Sequence, residues 1–153
     1  MSFIHPTSEI HTKKIGNNIC IWQFCVILAN AQLGNNCKIG CNVFIENDVI
    51  IGNNVTIKNG VQIFDGVTIK DNVFIGANTV FCNDKYPKPN NENFKLEKII
   101  INENVSIGAN VTILPGITIG KNVIIGAGSV VTKCIEDNCI IIGNPASKIK
   151  EII

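Results

Sequence analysis

The segment "IGNNVTIKNGVQIFDGVTIKDNVF" (residues 51–74) repeats one pattern every six residues. Each hexad begins with Ile and carries Val at its fifth position, so these apolar positions lie two residues apart across each hexad boundary. Such spacing places both side chains on one face of a short β-strand. The residues between them are rich in Gly, Asn and Asp, which favour turns. Each hexad therefore predicts one strand and one corner, a unit that buries its apolar face only by stacking on its neighbours.

The same pattern covers most of the chain. Twelve hexads run from Ile15 to Tyr86, and six more run from Ile101 to Glu136. Three strand-and-corner units close one coil of 18 residues. We therefore expect an all-β protein, a parallel β-helix of about six coils that forms a single domain over residues 1–153. The polar segment "FCNDKYPKPNNENFKLEK" (residues 81–98) interrupts the repeat, and we predict a flap loop over residues 84–100.

The C-terminal segment "GNPASKIKEII" (residues 143–153) departs from the hexad pattern. Asn144 is a residue type that caps helix N-termini, and Pro145 suits the first position of a helix. Ile149 and the last two isoleucines fall on one side of such a helix. We therefore predict a short C-terminal helix over about residues 145–153.

The composition argues against several classes of function. The 153 residues carry a net charge of +1 with a pI near 7.5, which gives no electrostatic argument for binding nucleic acid or a membrane surface. No apolar run approaches the length of a membrane span, and no signal-peptide pattern follows Met1, so we expect a cytoplasmic protein. The seven cysteines are odd in number and include no C-x-x-C pair, which argues against both a disulfide framework and a zinc site.

Residues 18 apart stack on one corner of such a coil. One corner places Asn47, Asp65 and Asn83 in a column, with Asp84 beside the last of them, and the flap leaves the repeat immediately afterwards. Polar groups in such positions often only satisfy the backbone of a turn. Beside a flap they also suit the floor of a binding site, and we favour a functional role most for Asn83 and Asp84.

A second corner carries very small residues. If the flap is a simple excursion, three tripeptides stack there: Gly76-Ala77-Asn78, Gly108-Ala109-Asn110 and Gly126-Ala127-Gly128. Side chains this small allow another backbone or a thin ligand to approach closely. Glycine is equally the default residue for a turn of this kind.

These residues resemble the hexapeptide-repeat family, whose members form a left-handed parallel β-helix. The resemblance supplies the hand of the helix, because ordinary parallel crossovers are right-handed. Hexapeptide acetyltransferases are trimers with sites between subunits, and coenzyme A lies along a groove of small residues. The resemblance therefore implies acetyl-CoA as cosubstrate, a homotrimer, and no metal. It assigns to coenzyme A the groove residues Ala77, Gly108, Ala109, Gly126 and Ala127, with Lys133 and Lys148 for its phosphates.

Three strings sharpen the resemblance: "IWQFCVI" (residues 21–27), "FIENDVIIGNNVTIKNGVQIFDGVTI" (residues 44–69) and "VFIGANTVFCNDKYP" (residues 73–87). They are similar to the nucleotide-sugar 3-N-acetyltransferases that supply surface polysaccharide synthesis. The branch acting on dTDP-3-amino-3,6-dideoxyhexoses is favoured over the UDP-linked branch, which tends to have His where this chain has Gln23. Cys82 stands where Thr is expected. The residues assigned to the sugar substrate are Asn47, Asp84, Gln23, Trp22, Glu46 and Tyr86.

The scarcity of histidine favours transfer to an amine. The chain has only His5 and His11, both before the regular coils, and none in the flap. A hydroxyl acceptor needs a strong base partner, whereas an amine does not. The family's carbonic anhydrases need three His for zinc, which the coils lack. Under the resemblance Asp65 orients the sugar amine and accepts its proton, and Asn83 binds the amine or the oxyanion.

Two alternatives stay open. One is an acetyltransferase for a UDP-linked sugar or another small acceptor. The other is a β-helix without catalytic activity that assembles or scaffolds, which failure to bind coenzyme A would favour. The C4 configuration of the sugar and the identity of the acyl group are also open.

Overall fold

The chain winds into a parallel β-helix in the computed structural model, which describes residues 2–152. The first sheet contains β1 Phe3–Ile4, β3 Cys20–Ile21, β6 Lys38–Ile39, β9 Thr56–Ile57, β12 Phe74–Ile75, β15 Ser106–Ile107, β18 Ile124–Ile125, β20 Cys139–Gly143 and β21 Ala146–Glu151. The second contains β2 Glu9–Ile10, β4 Val26–Ile27, β7 Phe44–Ile45, β10 Gln62–Ile63, β13 Val80–Phe81, β16 Thr112–Ile113 and β19 Val130–Val131. The third contains β5 Gln32–Leu33, β8 Ile50–Ile51, β11 Val67–Ile69, β14 Ile99–Ile101 and β17 Thr118–Ile119. Residues 2–152 hold no helix that could cross a membrane.

Strand pairing confirms the 18-residue coil. Ile63 pairs with Ile45 in the coil below and with Phe81 in the coil above, and pairing continues in parallel register along all three sheets. Eight parallel strands in the first sheet give about eight turns, more than the six expected from the hexads. The excess lies at the ends, because the residues before Ile15 form a coil of their own and β20 begins another.

The core is aliphatic, in keeping with an aromatic content of only 6%. Ile and Val at the first and fifth hexad positions are buried throughout the repeat except at its two ends, where Ile15 and Ile135 are partly buried. Phe81 is the largest fully buried side chain of the described residues. Cys25 and Cys37 occupy the same inward positions as Val, and burial raises the pKa of both thiols. They are therefore core residues that stay protonated at neutral pH.

Three corners connect the sheets, and we name each by its residues. The groove corner joins the first sheet to the second and contains residues 22–25, 40–43, 58–61, 76–79, 108–111 and 126–129. The flap corner joins the second to the third and contains residues 28–31, 46–49, 64–66, 82–98, 114–117 and 132–134. The ladder corner returns to the first sheet and contains residues 16–19, 34–37, 52–55, 70–73, 102–105, 120–123 and 136–138.

Stacked asparagines hold the ladder corner together. Asn36 donates from Nδ2 to Asn54 Oδ1 at 3.1 Å, and Asn54 donates to Asn72 Oδ1 at 3.0 Å. All three have φ between 57 and 60°, a left-handed conformation that asparagine tolerates better than most residues. The abundance of Asn in the hexads thus has a structural cause at this corner.

The predicted C-terminal helix is wrong. β20 and β21 instead form an antiparallel hairpin. Asn144 and Pro145 lie in its turn rather than at the start of a helix, and a cis peptide bond joins them. Ala146 is buried against the last coil, and the hairpin supplies backbone partners to β20. An open strand at the end of a sheet leaves its N–H and C=O groups unpaired, and pairing with β21 satisfies those of β20.

Candidate functional site

The flap corner brings most of the predicted substrate residues together. Asn47 follows β7, Asp65 follows β10 and Asn83 follows β13, so the register of these strands stacks the three residues one coil apart. The Asn47 Oδ1 accepts a hydrogen bond from the Asn30 N–H of the coil below at 3.3 Å. This residue therefore has a structural role in capping the turn beneath it.

Asp65 is fixed in place by two hydrogen bonds. Its Oδ1 accepts from the Asp48 N–H at 2.7 Å, and its own N–H donates to Glu46 Oε2 at 2.7 Å. Within residues 2–152 the second carboxylate oxygen, Oδ2, forms no hydrogen bond, and the side chain is half-buried. One oxygen thus positions the carboxylate while the other stays available to a ligand. Glu46, which is predicted to bind substrate, also supports Asp65 by accepting this hydrogen bond.

Asn83 and Asp84 begin the excursion from the helix. Asn83 is half-buried, and its side-chain amide has no hydrogen-bond partner in the described part of the chain. Asp84 Oδ1 accepts from the Tyr86 N–H at 3.0 Å and so shapes the first turn of the flap. The exposed Tyr86 follows. Asn83 is therefore the better placed of the pair to bind a ligand with its whole side chain.

The flap returns to the coil earlier than predicted, because Ile99 and Ile100 already belong to β14. The excursion therefore spans residues 82–98. Its return lies over the same corner: Leu96 carbons lie 3.1–3.2 Å from where a Cβ on Gly66 would be, next to Asp65. Lys85 Nζ forms an ion pair with Glu97 Oε2 at 3.2 Å, which ties the two ends of the flap together.

A cavity of about 310 Å³ lies within the flap, lined by Asp84, Lys85, Tyr86, Lys88, Asn91, Asn93, Lys95 and Glu97. Only Asp84 and Tyr86 of this set are predicted above. The missed signal is the distribution of lysine: the chain has thirteen lysines and no arginine, and four of the lysines fall within residues 85–98.

The groove corner has the stacking expected for its small residues. The Asn110 N–H donates to the Ala77 carbonyl and the Gly128 N–H to the Ala109 carbonyl, each at 2.8 Å, which aligns Ala77, Ala109 and Ala127 in a column. A Cβ on Gly108 would lie 2.5 Å from the Ala127 nitrogen, so close coil packing already accounts for this glycine. Ile142 of the hairpin lies against Gly126 and closes one end of the column.

Trp22 and Gln23 lie on the groove corner rather than the flap corner. Trp22 is 46% exposed and contacts Phe3 edge to face, with ring centroids 5.6 Å apart. Gln23 Oε1 accepts from the Cys41 thiol at 3.2 Å. Within one chain, these two residues therefore belong to a different corner of the β-helix from Asp65 and Asn83.

Lys133 and Lys148 share a cavity of about 290 Å³ at the C-terminal end, bounded by Glu136 and the hairpin. Lys148 Nζ bonds Glu151 Oε1 at 2.8 Å, and this hydrogen bond raises the pKa of the lysine. Lys133 lies on the flap corner. The two predicted phosphate contacts are thus near each other but apart from the alanine column. Residues 2–152 contain no group of three or more His, Cys, Asp or Glu suited to a metal ion.

The family model "Bacterial transferase hexapeptide (six repeats)" matches well over half of the chain, at residues 12–47, 30–65, 48–83 and 98–133. Over 35 residues, 23% of this chain, the sequence is 54% identical to dTDP-3-amino-3,6-dideoxy-alpha-D-galactopyranose 3-N-acetyltransferase of Aneurinibacillus thermoaerophilus. That match spans only 18% of the relative's length.

Two similar solved structures contain ligands. A hexapeptide-repeat acetyltransferase of Vibrio cholerae, complexed with acetyl coenzyme A, is 28% identical with a TM-score of 0.72, covering 79% of this chain and 70% of that one. A variant of AntD, an N-acyltransferase of Bacillus cereus in complex with dTDP and coenzyme A, is 28% identical with a TM-score of 0.60, covering 91% of this chain and 83% of that one. The match to the hexapeptide family model agrees with the left-handed β-helix expected from the sequence.

Proposed function

Because this chain belongs to the bacterial hexapeptide-repeat transferases, we propose that it is an acetyl-CoA-dependent N-acetyltransferase acting on the amino group of a nucleotide-linked sugar. The observation that carries the proposal is the flap corner, where a positioned carboxylate oxygen of Asp65 and the unpaired amide of Asn83 lie one coil apart. The similar structures were solved with acetyl coenzyme A in one case and with dTDP and coenzyme A in the other.

The reaction on this proposal is direct attack of the amine nitrogen on the thioester carbon of acetyl-CoA. A C–N bond forms and the C–S bond breaks, so the products are the amide and coenzyme A. The amine loses one proton, which passes to Asp65 Oδ2 and then to the departing thiolate. Asn83 donates its amide N–H to the oxyanion of the tetrahedral intermediate, a role in which a fixed donor stabilises developing charge. Asp84 and Tyr86 contact the sugar.

The finer assignment is a dTDP-linked 3-amino-3,6-dideoxyhexose. It is supported by the short stretch of high identity to a 3-N-acetyltransferase for a dTDP-3-amino-3,6-dideoxygalactose and by dTDP in the AntD complex. Gln23, where the UDP-linked branch tends to have His, points the same way. A UDP-linked 3-amino sugar is the alternative within the same chemistry.

We further propose that the active site lies between subunits of a homotrimer. Trp22 and Gln23 lie on the groove corner, whereas Asp65 and Asn83 lie on the flap corner, so all four can line one site only if two chains contribute. The alanine column would then hold coenzyme A against a neighbour's flap. Mixing inactive Trp22→Ala and Asp65→Asn chains tests this, because mixed trimers regain complete sites and activity if the site is shared. Mixed trimers without activity would contradict it.

The first test measures coenzyme A release with acetyl-CoA and each of three acceptors: dTDP-3-amino-3,6-dideoxygalactose, its gluco epimer, and a UDP-linked 3-amino glucuronate. Turnover with a dTDP sugar supports the finer assignment, and turnover with the UDP sugar alone moves it to the alternative. A folded protein that neither turns over nor binds coenzyme A contradicts the enzymatic proposal and favours a scaffold.

Replacement of Asp65 tests the mechanism. Asp65→Asn keeps the hydrogen bond to the Asp48 N–H but removes the base, so kcat/KM should fall by about a hundred- to ten-thousand-fold. Asp71 is a matched control, since its Oδ1 accepts from the Asn53 N–H at 2.7 Å on the ladder corner. Asp71→Asn should leave kcat/KM unchanged. Equal kinetics in the two variants would remove Asp65 from the mechanism.

A further inference from the structure

The flap cavity concentrates positive charge beside the flap corner. Three lysines line it, and Lys85 is already neutralised by Glu97 at 3.2 Å. Across residues 2–152 neither Lys88 nor Lys95 forms an ion pair. Two ammonium groups therefore face the cavity uncompensated, with Asp84 the one acid there outside the ion pair.

Lysine is the only strongly basic side chain available to this protein, because the chain has no arginine. Any phosphate that it binds through a permanent positive charge must therefore be bound by lysine. Both ammonium groups are exposed and form no ion pair within residues 2–152, so they exchange water for phosphate oxygens at little cost in free energy. Tyr86 adds a hydroxyl and Asn93 a side-chain amide to the same wall, both able to donate hydrogen bonds.

The chemistry of a nucleotide sugar fixes how far its diphosphate is from its reacting amine. The diphosphate is attached at the anomeric carbon and the amine at C3, so one side of a hexose ring separates them. The diphosphate must therefore lie close to the flap corner. The flap cavity meets this condition, because its wall begins at Asp84, the residue after Asn83.

Two other cavities fit less well. One of about 270 Å³ also adjoins the flap corner, but it is lined by one cation, Lys14, and one acid, Asp48, and so carries no net positive charge. The cavity at Lys133 and Lys148 lies at the end of the helix, and Lys148 is paired with Glu151. Charge and position together therefore select the flap cavity for a dianionic group.

We propose that the flap cavity is the diphosphate subsite of the nucleotide-sugar substrate, with Lys88 and Lys95 as its charged contacts and Tyr86 and Asn93 as hydrogen-bond donors. This inference rests on the proposed function. The flap then has a role in addition to covering the site, because it brings lysine side chains next to Asp84.

The test is calorimetric titration of the 153-residue protein with dTDP, UDP and coenzyme A. The double variant Lys88→Gln, Lys95→Gln removes both positive charges but keeps the aliphatic part of each side chain. Because both positions are exposed, the variant should fold as the parent does, and a thermal melt checks this. Its Kd for dTDP or UDP should rise by roughly ten- to a hundred-fold, and binding should depend less on salt. Lys98→Gln, in the same segment but outside the cavity, and Lys14→Gln, in the neighbouring cavity, are the controls and should bind as the parent does.

Each result separates this inference from the proposed function. A weaker affinity for the nucleotide diphosphate alone supports the subsite. If the double variant loses affinity for coenzyme A instead, the cavity holds the cosubstrate's phosphates and the inference is overturned. Loss in Lys14→Gln, with the double variant unaffected, also overturns it. If the unmodified protein binds none of the three ligands, the proposed function itself fails.

Discussion

Substitution of Gly66 by alanine should damage both stability and the site, for two separable reasons. Gly66 has φ of +84°, where a residue with a Cβ is strained by about 1–2 kcal/mol. Its new Cβ would also meet Leu96 carbons at 3.1–3.2 Å, which is a few tenths of an ångström too close. Displacing Leu96, which is partly exposed, adds about 1 kcal/mol. The expected loss in the free energy of unfolding is therefore about 2–3 kcal/mol.

Gly128→Ala isolates the first of these effects. Gly128 has φ of +72°, and a Cβ there would meet nothing within 4 Å, so only the strain of about 1–2 kcal/mol applies. Urea unfolding at one fixed protein concentration measures both variants, since assembly makes apparent stability depend on concentration. Adding Leu96→Ala to Gly66→Ala should recover the stability that Gly66→Ala loses beyond Gly128→Ala, and it should restore KM for the sugar. Equal losses in the two glycine variants, with unchanged KM for Gly66→Ala, would refute the packing of Leu96 against Gly66.

Two further predictions concern the coils themselves. Asn54→Ala loses two hydrogen bonds of the ladder corner and leaves alanine at φ of 57°, so it should destabilise the protein by about 2 kcal/mol. Asn54→Gly loses the same hydrogen bonds without the backbone strain, so in the same urea assay it should lose about half as much stability. The reverse order would contradict the left-handed ladder. Maleimide labelling read by mass spectrometry should modify the exposed Cys134 first, and Cys25 and Cys37 only on unfolding, because burial shields both thiols and raises their pKa. Early labelling of Cys25 would contradict its place in the core.

The coils could be predicted from sequence because each hexad specifies its own strand and corner. Period-two spacing of the apolar residues fixes the inward face, and stacking at 18 residues then fixes the register, as the pairing of Ile63 with Ile45 and Phe81 confirms. The C-terminal hairpin could not be predicted, because Asn144-Pro145 suits a helix start and a tight turn alike. What decides between them is the open edge of β20, a property of the assembled sheet that the local sequence does not contain.

The site was predictable only where it follows the repeat. Stacking placed Asp65 above Asn47 and Ala109 above Ala77, and the register agrees with both. The flap has no period, so nothing in the sequence places Leu96 on Gly66 or gathers its lysines around one cavity. The catalytic and binding roles assigned to these residues remain predictions for the experiments above.

The interruption of the repeat has a direct chemical consequence for Asn83. In the two coils below, the third residue of the hexad caps the turn beneath it. Asn47 accepts a hydrogen bond from the Asn30 N–H, and Asp65 accepts one from the Asp48 N–H. If this pattern continued, Asn83 Oδ1 would accept a hydrogen bond from the Gly66 N–H. That N–H instead donates to the Asp48 carbonyl at 3.0 Å, and the chain leaves the helix after Asn83. Because the chain leaves the helix here, the Asn83 side chain does not cap a turn. It lies one coil from the Asp65 carboxylate, which still does. At the same position of the two coils below, a side-chain oxygen is already occupied by a backbone N–H, so the break in the repeat is what leaves Asn83 able to bind a ligand with its whole side chain.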